Sequence, residues 1–349
     1  MPSTTPTGPT APESPNRPRA AAAMKPEAAS ALLDARSLAA FGEVCDLAPL
    51  PALDDFATER ARAVLADVEV LVTGWGCPPL DAAALDAAPH LRAVVHTAGS
   101  IRGHITEACW ERGIEVSSAA AANALPVAEY TVAMILLSGK RALERARDYR
   151  TERRRDDALA TSTDVGNYLR TVGILSASLI GRRVIELLRP YDLPVLLHDP
   201  YVSEAEAAAL GVRPVGLGEL FARSDVVSVH TPLLPATRGL VSRELLTSMR
   251  PDGVLINTAR GAVIDQDALT DVLRQNRIRA ILDVTEPDTL PAAHPLWECD
   301  NALITPHLAG SQGNEWRRLV DLAVGEAGRW AAGDGFTHPV RRERLAFLA

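Results

Sequence analysis

From Thr171 onward, short apolar runs alternate with amphipathic stretches. TVGIL, VLLHD, DVVSVH, GVLINTA, AILDV and ALITP are the runs, and a segment from Ile180, then EAEAAAL, SRELLTSM and QDALTDVLRQ, are among the stretches between them. The runs are continuously hydrophobic, the pattern of strands buried on both faces, while the apolar positions between them recur at helical spacing. Such alternation predicts an α/β fold with a doubly wound parallel sheet. Upstream, PRAAAAM, VEVLVTG, LRAVVHTAG and IEVSS predict a smaller α/β layer, with EAASALL and DAAALDAA as helices. Between the two layers, PVAEYTVAMILLSGKRALERARDYR predicts one long helix over 126–150 with Pro126 in its first turn. A last helix, NEWRRLVDLAVGEAGRWAAG, carries the chain back. The first domain is therefore expected to be discontinuous, with 18–125 completed by 312–349 and a nucleotide-binding domain at 126–311 between them. Residues 1–17, rich in proline, serine and threonine and lacking an apolar core, predict a disordered tail and no secretory signal.

Composition narrows the setting. With 349 residues, 47% of them hydrophobic, the chain is long enough for two cores. A net charge of -8, with Lys25 and Lys140 as the lysines, offers no basic surface for nucleic acid or anionic membrane, so neither is expected as a partner. The apolar stretch from Leu125 to Ser138 is expected to be too short to cross a bilayer, and it contains Glu129. Cys45, Cys77, Cys109 and Cys299 show neither CxxC nor metal-ligand spacing, which predicts reduced thiols in a cytoplasmic protein without a metal site.

Candidate chemistry begins at TVGILSASLIGRR. In a dinucleotide-binding turn one glycine makes the bend, a second admits the pyrophosphate and a third lets helix pack on strand. Those positions read Ser176, Ser178 and Gly181 here. The following strand ends in Asp199, a carboxylate suited to ribose hydroxyls and repulsive to a 2'-phosphate, which favours NAD over NADP. By itself the segment is equally compatible with a plain βαβ unit. Three further residues then follow three successive strands: Arg260 in NTARG, Glu286 in DVTEP and His307 in TPHLAG. They are expected at the carboxyl edge of the sheet, where open α/β folds bind ligands. A carboxylate against one imidazole nitrogen favours the imidazolium and fixes its orientation, a role open to Glu286 beside His307. Reduction of a 2-oxo acid needs a proton for the ketone oxygen and a cation for the carboxylate, which His307 and the planar fork of Arg260 match.

On these residues the chain resembles the D-isomer-specific 2-hydroxyacid dehydrogenases, the family of phosphoglycerate, glyoxylate/hydroxypyruvate and formate dehydrogenases. VVSVHTPLLPATRGLV, LINTARGAVIDQDAL, LDVTEP and ITPHLAG carry the resemblance, which runs over about Val68 to Gly325. It implies two Rossmann-like domains, the smaller one flavodoxin-like, with NAD as cofactor, a homodimer, and interconversion of a 2-oxo acid and a D-2-hydroxy acid, in a short form without a regulatory domain. It further implies Arg260, Glu286 and His307 as catalytic residues. Ser178, Leu179 and Ile180 would meet the pyrophosphate, Asp199 the ribose, and His230, Thr231 and Pro232 the flank of the cofactor. Thr258, Ala259 and Gly310 would line the nicotinamide end, with Asp283 on its amide, and Gly99, Ser100 and Ile101 would grip the substrate carboxylate. The chain departs from the family pattern at Ser176 and Ser178, and where relatives carry an Asp-Asn pair it has Gly103 and His104 after Arg102. The cations Arg102 and His104 are expected to be a solvated pair, the alternative being recognition of an extra acidic group on the substrate. The serines motivate the alternative of a non-catalytic or weakly nucleotide-binding member acting as a sensor or interaction protein.

Overall fold

The computed structural model describes residues 17–154 and 165–343, so all of the expected tail but Arg17 lies outside the described residues. The chain divides into two compact units, one running up to Ser118 and including Val320–Val340, the other comprising Ala119–Leu319.

The first unit is built on five parallel strands, β1 (Arg19–Ala23), β2 (Asp46–Leu47), β3 (Val70–Thr73), β4 (Ala93–His96) and β5 (Glu115–Ser118), in the order β2-β1-β3-β4-β5. The alanines of β1 are buried, so a strand of minimal side chains sits inside the sheet, between β2 and β3. The returning segment is stitched to the far edge. Glu326, buried on the helix Trp316–Ala331, accepts hydrogen bonds from Ser117 Oγ (2.8 Å), Thr337 N (3.0 Å) and His338 N (2.9 Å). Val340 N donates to Val116 O at 2.7 Å. A buried carboxylate is tolerated only when its lone pairs are filled in this way.

The second unit holds seven parallel strands: β6 (Val172–Leu175), β7 (Val195–His198), β8 (Arg213–Pro214), β9 (Val226–Val229), β10 (Val254–Asn257), β11 (Arg279–Leu282) and β12 (Ala302–Ile304). Their order is β12-β11-β10-β9-β6-β7-β8, so the direction of winding reverses between β6 and β9. The doubly wound sheet expected from the alternation is present. The two-residue strands β2 and β8 were not foreseen, because so short a pairing leaves no hydrophobic run to read. Register makes the carboxyl ends level: His198 pairs with Leu175, Leu175 with Val229, Val229 with Asn257, Asn257 with Leu282 and Leu282 with Ile304.

The single helix expected over 126–150 is two helices, Ala120–Gly139 and Ala142–Glu152. Pro126 lies inside the first rather than in its opening turn, because the alanines before it are already helical. The break is made by tertiary contact. Gly166 N donates to Gly139 O at 2.7 Å and Asn167 Nδ2 to Leu136 O at 3.0 Å, satisfying carbonyls at the helix end, and Arg141 turns left-handed at φ 50°. At 20 residues the first helix is also long and apolar enough to cross a membrane by length and composition, contrary to the expectation drawn from Leu125–Ser138. Here Ala128, Val132 and Ile135 are buried in one cluster with Val172, Ile174, Val184 and Ile185.

Candidate active site

The turn after β6 stands where the winding reverses, the position at which an open α/β sheet leaves a crevice. Ser176 occupies it with φ 80°, a left-handed conformation that suits glycine. Ser178 then caps the helix Leu179–Leu188, its Oγ accepting from Gly181 N at 3.3 Å. Gly181 is obligatory for packing, since a Cβ there would stand 2.1 Å from Ser176 O. Asp199, one residue beyond β7, is drawn into the turn. Its Oδ2 accepts from Ala177 N (2.8 Å) and Ser176 Oγ (3.2 Å), and its Oδ1 from Tyr201 N (2.8 Å). Arg182 Nε braces the other side by donating to Ala177 O at 2.9 Å. Leu179 is 54% exposed at the head of the helix, with Ile180 half-buried beside it.

His230, Thr231 and Pro232 follow β9. His230 N donates to Leu175 O at 2.9 Å, and the ring pairs through Nε2 with Ser228 Oγ at 2.9 Å. Burial pushes this imidazole down to about 3, so it is a neutral packing group at the turn. After β10, the Asn257 side chain spans the next bend, donating to Arg260 O (2.9 Å) and accepting from Ala259 N (3.0 Å). Thr258 Oγ1 lies 3.1 Å from Thr131 Oγ1. Arg260 emerges half-buried from this bend. The following Gly261 crosses the exit of β11 so closely that a Cβ would fall 2.1 Å from Thr285 C, which brings the arginine bend against the DVTEP segment.

Beyond β11 and β12 the arrangement departs from the sequence reading in one respect. His307, at φ 51°, pairs through Nδ1 with Asp288 Oδ1 (3.1 Å) and Oδ2 (3.3 Å). Glu286, assigned to the imidazole from sequence, faces Arg238 at 3.8 Å, and its backbone is held by Gln266, which accepts from Glu286 N at 2.9 Å. The carboxylate at the histidine is therefore Asp288. Asp283 is almost fully buried and ties down the histidine loop, accepting from Thr305 Oγ1 (2.7 Å), Leu308 N (2.9 Å) and Ala309 N (2.9 Å). Gly310 lies against Asn123, whose Oδ1 accepts from Ser311 N at 3.0 Å. Asn257, Asn123 and Asp288 escaped the sequence reading. Asparagines that span bends carry no periodic signal, and Asp288 is the residue just past the DVTEP motif.

In the first unit, Gly99, Ser100 and Ile101 follow β4, with Ser100 exposed and Ile101 buried. Beneath them Thr73 Oγ1 lies 2.9 Å from His96 Nδ1 and 3.2 Å from His104 Nε2, and the two rings stand 4.5 Å apart. His104 is 4% exposed, which corrects the expectation of a solvated residue. Arg102 and Gly103 beside it are exposed.

A doubly wound sheet with a helix-capping turn at its reversal, an acid at the end of the next strand and polar groups along one rim defines a dinucleotide-binding protein. The fit to that cofactor is visible in the turn itself, where Gly181 admits the helix and Asp199 stands beside it with acceptor capacity to spare. Comparison supports the class. The family model for the D-isomer specific 2-hydroxyacid dehydrogenase, NAD binding domain, matches residues 132–309. A glyoxylate reductase of Thermofilum pendens is 32% identical over 251 residues, 70% of this chain and 73% of the relative. A D-3-phosphoglycerate dehydrogenase of Mycobacterium leprae is 33% identical over 235 residues, 66% of this chain but 43% of the relative, so the chain spans less than half of that protein. Among solved structures, the TT0316 protein of Thermus thermophilus has a TM-score of 0.71 at 27% identity, covering 93% of this chain and 100% of its own. A phosphoglycerate oxidoreductase of Rhizobium etli has a TM-score of 0.80 at 21% identity, covering 94% of this chain and 100% of its own, a likeness of fold. The chain belongs to the D-isomer-specific 2-hydroxyacid dehydrogenase family and carries that family's NAD-binding domain.

Proposed function

We propose that the protein is an NAD-dependent oxidoreductase interconverting a 2-oxo acid and a D-2-hydroxy acid, and that it acts as a homodimer. The observation that carries this reading is the level carboxyl edge of β10, β11 and β12, from which Arg260, Asp288 and an Asp288-bonded His307 all issue. When bound, NADH would supply the reducing equivalent for the carbonyl carbon. Arg260 holds the substrate carboxylate and polarises the ketone through its planar fork. His307 gives a proton from Nε2 to the ketone oxygen, and in the reverse direction takes it from the hydroxyl. Asp288 keeps Nδ1 engaged, which fixes the ring and its tautomer. Ser178, Leu179 and Ile180 receive the pyrophosphate at the helix N-terminus. Asp283, taking three donors from the histidine loop, serves that loop first.

The test is a screen of 2-oxo acids by NADH and NADPH consumption. Turnover with NADH is expected, falling by about 10²-fold to 10⁴-fold in His307→Ala and comparably in Arg260→Ala. Saturable NADH binding without turnover of any 2-oxo acid would instead favour the sensor reading, which the left-handed Ser176 supports.

A further inference from the structure

The two serines of the nucleotide turn do different work. Ser178 replaces a glycine without disturbing the backbone, being extended at φ -61° and ψ 179° and acting as a helix cap. Ser176 stands in a left-handed bend, where its Cβ is unfavourable, and its hydroxyl reaches Asp199. A carboxylate offers about four acceptor positions, two on each oxygen. On Oδ2 both are taken, by Ala177 N at 2.8 Å and Ser176 Oγ at 3.2 Å. On Oδ1 one is taken, by Tyr201 N at 2.8 Å. A single acceptor position remains for a ribose that presents two adjacent hydroxyls. With glycine at the bend the backbone donors would persist and the hydroxyl would not, leaving one open position on each oxygen for a two-pronged contact.

We infer that Ser176 sets the cofactor affinity of this protein by competing with the adenosine ribose for Asp199. This rests on the reading of the turn as an NAD site. The serine hydroxyl holds the carboxylate in place before cofactor arrives and must be displaced, or the ribose must bind through one hydroxyl alone. Either way the complex is weaker, and cofactor leaves sooner, than in the same turn without that hydroxyl.

The measurement is the dissociation constant of NADH, by fluorescence titration of the full chain, for the wild type, Ser176→Ala, Ser176→Gly, and Ser176→Ala combined with Asp199→Ala. Ser176→Ala keeps the Cβ and its strain but removes the donor, so it isolates the competition. NADH is expected to bind about fivefold more tightly, the worth of one net hydrogen bond. Ser176→Gly is expected to gain at least as much, and to melt at a higher temperature because the bend is relieved. With Asp199→Ala present the gain from Ser176→Ala should vanish, since no acceptor remains to be contested. Saturable binding that is unchanged or weaker in Ser176→Ala overturns this inference and leaves the NAD reading standing. Absence of saturable binding in the wild type and in every variant overturns both.

Discussion

Between Asp283 and Asp288 the chain folds back on one hydroxyl. Thr285 Oγ1 donates to Pro287 O (2.8 Å) and Asp288 O (3.1 Å), and this curl returns Asp288 to the imidazole of His307 while Glu286 is left outside with Arg238. The two carboxylates therefore predict different losses. Asp288→Ala should lower kcat/KM by about tenfold to 10²-fold, because the ring loses the acceptor that holds Nδ1. Glu286→Gln should change it by no more than about twofold, since an exposed pair at 3.8 Å contributes little. Equal losses from the two would contradict the assignment. The positions of Arg260 and His307 at the carboxyl edge were legible because each stands three residues past a readable strand. The choice between Glu286 and Asp288 was not, because a hydroxyl turn decides it and leaves no periodicity behind.

At the scale of elements, the helix pair Ala120–Gly139 and Ala142–Glu152 is informative for what it fails to bury. The second helix contains no buried residue, and Leu143 and Tyr149 on it, like Leu137 on the first, are exposed. A polar helix with no fully buried residue gains little apolar stabilisation from its own chain. Of its charges, Glu144 pairs with Arg279 (3.3 Å) and Arg147 with Asp300 (3.4 Å), while Leu143 and Tyr149 stay uncovered, and the proposed homodimer would bury them against a second copy. Sedimentation should accordingly report a dimer, and Leu143→Asp with Tyr149→Asp should shift it towards monomer. A monomer at every concentration would remove the homodimer from the proposal. Helical periodicity runs unbroken through residues 126–150, which is why one helix was expected. The interruption comes from Gly166 and Asn167, whose arrival at the helix end is a tertiary event that no local pattern records.

At the scale of the whole molecule, three imidazoles are locked in uncharged. Burial, reinforced by the neighbouring ring of His104, holds His96 at about 3, and burial alone holds His104 at about 4 and His230 at about 3. Each lies below its unfolded value of about 6.5, so below that pH the unfolded chain binds more protons than the folded one. Their contribution is complete above about pH 6.5 and is lost progressively as pH falls towards 4 and then 3. Thermal midpoints should therefore drop across that window, and His104→Gln should flatten the slope. A midpoint indifferent to acid down to pH 4 would refute the linkage. The sequence pattern could not tell a solvated His104 from a buried one, since depth is set by what packs above it.

The stitching of Val320–Val340 to β5 through Glu326 also fixes an order of manufacture. On the ribosome, the amino-terminal unit is translated first, yet it cannot close until its last piece has been synthesised. The intervening stretch from Ala119 to Leu319 has all of its strands in hand before that piece exists. The unit begun before the other is completed after it, and its edge at β5 waits for its partner segment through the synthesis of some two hundred residues.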